Sequence, residues 1–158
     1  MIEPLPRTGI STVIGLLELI DDAKGKEDIF KLAKSLQFDL EDILPVIDAS
    51  ELLGLAEVID GDIKLTPTGK RLVEADVNER KLVIKQQLKK LKPFQETIAA
   101  LKTKEDKRMD REFFVELFEA HLSEEDAENL VHTIIDWGRY AELIGYNLDT
   151  EEMYLDQE

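Results

Sequence analysis

The sequence contains no cysteine, which excludes disulfide bonds, thiol nucleophiles and thiolate metal sites. Its apolar runs are short and interrupted by charged residues, so no segment is expected to cross a membrane as a helix. Residues 1–4 lack both the basic start and the apolar centre of a signal peptide. Together these absences favour a cytoplasmic protein.

Basic residues are also scarce, above all in the last third of the chain. The 158 residues include 20 Lys and Arg against 35 Asp and Glu, a formal net charge of −15. Between Asp110 and Glu158, only Arg111 and Arg139 stand against 15 acidic residues. Nucleic-acid binding needs clustered Lys and Arg, because release of counterions from phosphates supplies most of the non-specific affinity. The composition therefore weighs against a nucleic-acid partner.

The motifs of common catalytic and cofactor sites are missing. In the nearest approach to a nucleotide-binding phosphate loop, Arg71 follows Gly69-Lys70 where Ser or Thr is needed, and Lys64 replaces the first glycine. The two histidines do not have the spacing of zinc ligands. We therefore expect no catalytic residues, no metal and no cofactor, and a protein that is not an enzyme.

The first half has the pattern of a small helical module. Apolar residues recur with a helical period in three segments: 10–22, 27–36 and 39–53. Gly54 suits the left-handed position that ends a helix. Asp60-Gly61, between two alternating runs, predicts a β-hairpin, and Thr66-Pro67 opens a fourth helix. Three helices, a hairpin and a helix form the winged-helix arrangement.

The second half is predicted to contain further helices and a second hairpin. A long helix begins at Asn78 and ends or kinks at Pro93, and another helix follows to about residue 102. A solvated linker over 103–108 leads to a helix over 110–122. The last segments are a helix capped by Ser123 and a hairpin over 143–155. The basic part, residues 80–92, has two interpretations. It lies on an anionic membrane or partner, or it packs on the acidic surface of its own chain. In the second case Leu82, Val83, Leu88 and Leu91 enter the core.

The two halves resemble each other in hydrophobic pattern. Aligning Asp48 with Asp136 places Leu55 on Leu143. The predicted fold class is mainly α with two small β-hairpins (α+β), with tandem winged-helix-like modules joined by a long helix. The predicted domains are a module over 1–76, a connector over 77–108 and a second module over 109–158.

The run Trp137-Gly138-Arg139-Tyr140-Ala141-Glu142-Leu143, with Tyr146 after it, is similar to the C-terminal signature of the AAA-associated domain. Further positions in the first half agree with that family: Gly54, Gly61, Leu65, Thr66 and Gly69. The domain is found downstream of the ATP-binding subunit in nitrate/sulfonate/taurine-type ABC transporters. The resemblance implies a noncatalytic accessory or regulatory protein-interaction domain that has the transporter ATP-binding subunit as its partner.

These observations leave a second function open, a winged-helix transcription regulator that binds DNA. Acidic residues on both candidate recognition helices disfavour it, because such helices place basic and amide side chains in the major groove. We expect no nucleic-acid partner, no transmembrane segment and membrane association only through a partner. A homodimer is possible.

The signature around Trp137 is expected to be structural. Trp137 and Tyr140 fill the core beneath the hairpin, and Gly138 allows a close backbone approach. Arg139 is expected to be partly buried and paired with a carboxylate such as Asp136 or Glu142.

Overall fold

The computed structural model describes residues 2–158, which form two compact units. The N-terminal unit is Pro6–Val83, and the C-terminal unit is Ile84–Glu158 together with residues 2–5. The described chain is mainly helical with two small antiparallel sheets, so the predicted α+β class is confirmed. Each sheet has three strands, one more than a hairpin.

The N-terminal unit combines helices with three short strands. Its elements are α1 Ile10–Asp22, β1 Lys26–Asp28, α2 Ile29–Leu36, α3 Leu40–Leu52, β2 Ala56–Ile59, β3 Asp62–Leu65 and α4 Pro67–Glu74. Helix α5, Val77–Leu88, begins in this unit and crosses its boundary. The sheet order is β1-β3-β2, so the last strand in sequence lies in the centre.

The C-terminal unit repeats the order from α1 to β3, without a described helix in the place of α4. After the end of α5 it contains α6 Lys92–Lys102, β4 Arg108–Asp110, α7 Arg111–Glu119, α8 Glu124–Tyr140, β5 Ile144–Asn147 and β6 Glu152–Leu155. Its sheet order, β4-β6-β5, again places the last strand in the centre.

Local sequence signals explain where several elements begin and turn. Asp39 and Asp42 form a reciprocal capping box at the start of α3, which satisfies amide groups that have no partner within the helix. Ser123 Oγ accepts from the amide of Asp126 at the start of α8. Asp60 and Gly61, the turn between β2 and β3, both have positive φ, as a two-residue hairpin turn requires.

Each unit has its own apolar core. In the N-terminal unit, Leu16, Leu17 and Ile20 of α1 are fully buried. In the C-terminal unit the core is built on large side chains: Phe94, Phe114, Phe118 and Trp137. Large aromatic side chains contribute most to such burial, so they set the packing of α6, α7 and α8.

The structure corrects several predictions about elements. Strand β1 occupies the start of the predicted helix over 27–36, and β4 begins at the end of the predicted linker over 103–108. Pro93 lies in the first turn of α6, where its missing amide costs no helical hydrogen bond. Leu82, which enters the core in one of the two interpretations of residues 80–92, is exposed because it lies on the outer face of α5.

The two units share a pattern of backbone hydrogen bonds after the C-terminal ends of α3 and α8. In the N-terminal unit the amide of Leu55 donates to the carbonyl of Ser50 at 2.9 Å. In the C-terminal unit the amide of Leu143 donates to the carbonyl of Gly138 at 2.9 Å. The sequence alignment of Leu55 with Leu143 is therefore also an alignment of these hydrogen bonds.

This pattern is shared at the edge strands as well. Leu65 donates its amide to the carbonyl of Gly25 at 2.9 Å, and Leu155 donates to Lys107 at 3.0 Å. Gly25 and Lys107 both have positive φ, and each is the residue immediately before the first strand of its sheet. Residues of the two units can thus be compared position by position.

Candidate functional site

The signature residues of the N-terminal unit form a joint between the sheet and α4. Thr66 Oγ1 donates to the carbonyl of Gly54 at 2.6 Å and accepts from the amide of Gly69 at 3.1 Å. A Cβ on Gly69 would lie 1.9 Å from the carbonyl oxygen of Leu55, so only glycine permits this approach. Gly61 lies in the hairpin turn, and Leu65 is buried. These residues hold the backbone in place.

Most signature residues of the C-terminal unit also serve packing. Trp137 and Gly138 of α8 are buried, and a Cβ on Gly138 would lie 2.6 Å from Cβ of Ile144. Tyr140 at the end of α8 and Tyr146 on β5 are half-buried. The helix and the sheet therefore meet at a site too narrow for a larger residue than glycine.

Arg139 departs from the expectation of partial burial. Its side chain is exposed, and it makes no ion pair or side-chain hydrogen bond among residues 2–158. The reason is its direction from α8: Trp137 and Gly138 occupy the inner face, while Arg139 shares the outer face with Asp136. Glu142 is also exposed and has a φ of 55° at the position where the N-terminal unit has Gly54.

The signature residues fall in two different compact units, so the structure assembles each group separately. Within the described residues, no cluster of three or more His, Asp or Glu is placed to hold a metal ion. In the same part of the chain, no helix combines the length and apolarity needed to cross a bilayer.

A lysine-lined cavity in the N-terminal unit was not anticipated from the sequence. It has a volume of about 470 Å³, and four lysines, from the α1–β1 loop, β1, β3 and α4, line it with a single carboxylate: Lys24, Lys26, Lys64, Lys70 and Asp21. Gly25, Leu65, Thr66 and Pro67 complete its wall. Basic residues exceed acidic ones here, the reverse of the balance in the whole chain. We call this site the lysine cavity.

Two of the four lysines in the lysine cavity are paired and two are not. Lys70 Nζ lies 2.6 Å from Asp21 Oδ1, and this hydrogen bond raises the pKa of Lys70 above its ordinary value. Lys26 Nζ lies 3.5 Å from Asp62. Lys24 and Lys64 form no ion pair within the part of the chain that the structure describes. They leave positive charge at the surface of the cavity.

The outer face of α3 combines leucines with carboxylates. Its large apolar side chains are about half exposed: Leu40, Leu44 and Leu52. Its exposed charged residues are all acidic: Glu41, Asp42, Asp48 and Glu51. The sequence of α3 contains no Lys or Arg. We call this surface the acidic leucine face.

Comparison with known proteins gives one match. A family model described as the C-terminal AAA-associated domain matches residues 30–147, which is more than half of the chain. No curated protein and no solved structure matches the chain. The matched region runs from α2 in the N-terminal unit to the end of β5 in the C-terminal unit, and it includes every signature residue described above. The protein belongs to the family of C-terminal AAA-associated domains.

Proposed function

We propose that the protein is a noncatalytic regulatory domain that binds the ATP-binding subunit of an ABC transporter of the nitrate/sulfonate/taurine import type. The family match over residues 30–147 carries this proposal, because the family is described as a C-terminal AAA-associated domain. The resemblance of the run from Trp137 to Leu143 supports the importer class.

We further propose that both units are winged-helix-like modules. Each unit has the order helix, short strand, helix, helix, hairpin, and each sheet has its hairpin's second strand in the centre. In a DNA-binding winged helix, the helix immediately before the hairpin, which is the second of the helix-turn-helix pair, enters the major groove. Here that helix in the N-terminal unit is α3, whose exposed charges are all carboxylates that repel phosphate.

Most of the signature residues support a structural, noncatalytic assignment because their interactions are used within the fold; the exposed Arg139 is the exception. Thr66 uses its hydroxyl as donor and acceptor, and Gly69 and Gly138 are held against neighbouring residues. Trp137 is fully buried. A catalytic group must reach a substrate, and none of these residues has a side chain free to do so.

The acidic leucine face is the surface proposed to contact the ATP-binding subunit. Exposed apolar side chains grouped on one helix mark interaction surfaces. Carboxylates around them favour a basic partner surface and disfavour a second copy of this acidic chain. The occupant we propose is an amphipathic helix of the ATP-binding subunit that places apolar residues on Leu44 and Lys or Arg beside Glu41 and Asp48.

The test uses the purified full chain and an ATP-binding subunit of an importer of this type. Direct binding is measured by biolayer interferometry, and the ATPase rate is measured with and without the protein. Leu44→Glu should weaken binding at least about tenfold, as truncating a central apolar contact often does. Leu148, exposed at the tip of the second hairpin, provides the matched control Leu148→Glu, which should bind like wild type.

Three results would contradict the proposal. The first is no binding by any ATP-binding subunit of the importer class. The second is ATP hydrolysis by the isolated protein, which would contradict the noncatalytic assignment. The third is submicromolar, salt-sensitive binding of duplex DNA in an anisotropy titration, which would instead favour a transcription regulator.

A further inference from the structure

We propose that the lysine cavity binds the phosphate group of a small molecule, either inorganic phosphate or diphosphate, or the phosphates of a nucleotide. This site lies in the N-terminal unit and includes none of the residues of the acidic leucine face. The proposal therefore does not rest on the proposed function, and either one can fail without the other.

The arrangement of Lys26 and Lys64 is the first argument. These residues are direct cross-strand partners in the register of β1 and β3. Like charges at directly opposite positions destabilise a sheet. Asp62 balances Lys26 at 3.5 Å, but Glu57, the partner of Lys64 on β2, forms no ion pair with it among the described residues. A bound anion would relieve the repulsion between the two ammonium groups.

The C-terminal unit shows that the fold does not require two lysines here. Its equivalent register pair is Arg108 on β4 and Tyr154 on β6. The guanidinium carbon of Arg108 lies 5.5 Å from the centre of the Tyr154 ring, a cation–π contact that is favourable without any ligand. At the same pair of backbone positions, the side chains thus attract each other in the C-terminal unit and repel each other in the N-terminal unit.

The charges around this pair also differ between the two units, and they are more positive in the N-terminal unit. In the N-terminal unit Lys24, which forms no ion pair among the described residues, adds positive charge to the lysine cavity. In the C-terminal unit the position equivalent to Lys24, counted from the shared first strand, is Asp106. The positive cavity is therefore particular to the N-terminal unit, although the chain as a whole is strongly acidic.

The size and composition of the lysine cavity fit a phosphate-bearing ligand. A volume of about 470 Å³ is within the range of small-molecule sites. Lysine ammonium groups bind phosphate as point charges, each with three donors on a flexible stem. Lys24 and Lys64 are available as donors to the ligand, while Asp21 holds Lys70 at the rim.

The test is isothermal titration calorimetry of the full chain with sodium diphosphate, inorganic phosphate and ATP. We expect saturable binding of diphosphate that weakens when ionic strength is raised from about 0.1 M to about 1 M, because the Debye length falls from about 10 to about 3 Å. ATP binding with an affinity like that of diphosphate would show that the phosphates are sufficient. Much tighter binding of ATP would identify a nucleotide as the source of the phosphates.

Lys64→Tyr installs the aromatic residue of the C-terminal unit. It should weaken diphosphate binding about tenfold or more, which is the loss expected when one charged hydrogen bond is removed. Its melting temperature without ligand should equal or exceed that of wild type, since the repulsion with Lys26 is gone. Lys26→Gln should also weaken diphosphate binding, and it provides a second, smaller change; because it also removes the ion pair with Asp62, only its effect on binding is compared.

The matched control is Lys31→Gln/Lys34→Gln, which removes two exposed lysines of α2 outside the cavity. This variant should bind diphosphate within about twofold of wild type, because distant surface charges are largely screened. Four results would overturn the proposal: no saturable binding of any of the three anions, equal weakening in the control, binding of ATP without diphosphate, or tighter binding of duplex DNA through the same lysines.

Discussion

Gly138 shows how one residue of a packed pair determines the size of the other. A Cβ at this position would lie 2.6 Å from Cβ of Ile144. At the aligned positions, the N-terminal unit has Ser50 and Ala56, a larger helix residue and a smaller strand residue. The two units therefore fill the same joint with opposite combinations of sizes. The glycine is required by its neighbour and not by the helix, in which alanine has the better propensity.

Gly138→Ala is expected to destabilise the protein by roughly 1–3 kcal/mol, because the added methyl group overpacks the contact with Ile144. Ile144→Ala alone should cost about 2–5 kcal/mol through the cavity it leaves. The double variant should cost less than the sum of the two, since each change accommodates the other. Urea unfolding of the four proteins measures this coupling. Strict additivity of the two losses would show that the contact is not what requires glycine.

Residue roles were predictable where size or backbone conformation determines them. Gly54 and Gly61 were expected in turn positions and have positive φ there. Trp137 is fully buried, as its size favours. The environment of Arg139 could not be predicted from nearby carboxylates, because the direction in which a helical side chain points depends on where the helix packs. Its exposure follows from the burial of its neighbours Trp137 and Gly138.

At the scale of elements, the hairpins were predictable and the first strand of each sheet was not. The Asp60-Gly61 turn carries its own signal, but β1 and β4 have only three residues each, too few to show an alternating pattern. β1 pairs with β3, whose residues lie more than 30 positions later in the sequence. The lysine cavity depends on this pairing, which brings Lys26 beside Lys64. A sequence pattern cannot reveal a cluster whose members meet only through an unpredicted strand.

The residue before each first strand gives a prediction about backbone strain. Lys107 has a φ of 55°, whereas the equivalent Gly25 has a φ of 93°. Lys107→Gly should stabilise the protein by up to about 1 kcal/mol, because a left-handed conformation is unfavourable for residues with a Cβ. Only the carbonyl of Lys107 bonds to Leu155, so that hydrogen bond survives the change. Thermal and urea unfolding provide the measurement.

Gly25→Ala is the reciprocal control. No atom would lie within 4 Å of the added Cβ, so any loss reports the backbone conformation and not a clash. We expect a loss of about 1–2 kcal/mol. If Lys107→Gly lowered stability, the entropy that glycine adds to the unfolded chain would exceed the relief of strain, and the prediction would be wrong.

In the whole molecule, carboxylates outnumber basic side chains, so the stability of the fold is expected to depend on pH mainly through its carboxylates. The pKa of Glu119 lies above its ordinary value of 4.5, first because of desolvation and then because of surrounding carboxylates: Glu124, Glu112, Glu116 and Glu128. The folded protein therefore binds this proton more tightly than the unfolded chain does. Above that pKa the ionised group opposes folding, and the penalty disappears as the pH falls through it.

Glu119→Gln is therefore expected to raise the melting temperature at pH 7, with the difference shrinking as the pH approaches 4. Glu158 provides a control of opposite sign. Its hydrogen bond with Lys102 holds the pKa of Glu158 below its ordinary value, so its ionised form stabilises the fold above pH 4.5. Glu158→Gln should lower the melting temperature at pH 7 and have little effect in acid. Scanning calorimetry over this range tests both, and shifts of the same sign would contradict the assignment.

The central position of the last strand in each sheet has a consequence for synthesis on the ribosome. β1 and β2 have no hydrogen-bonding partner in their sheet until β3 has been synthesised. In the same way, β4 and β5 have no partner until β6 has been synthesised. The N-terminal unit can complete its sheet before α6 emerges, so the two units can fold one after the other. In the interval, unpaired strands are exposed to other nascent chains. Strands of only three or four residues, with acidic side chains among them, offer those chains little to pair with.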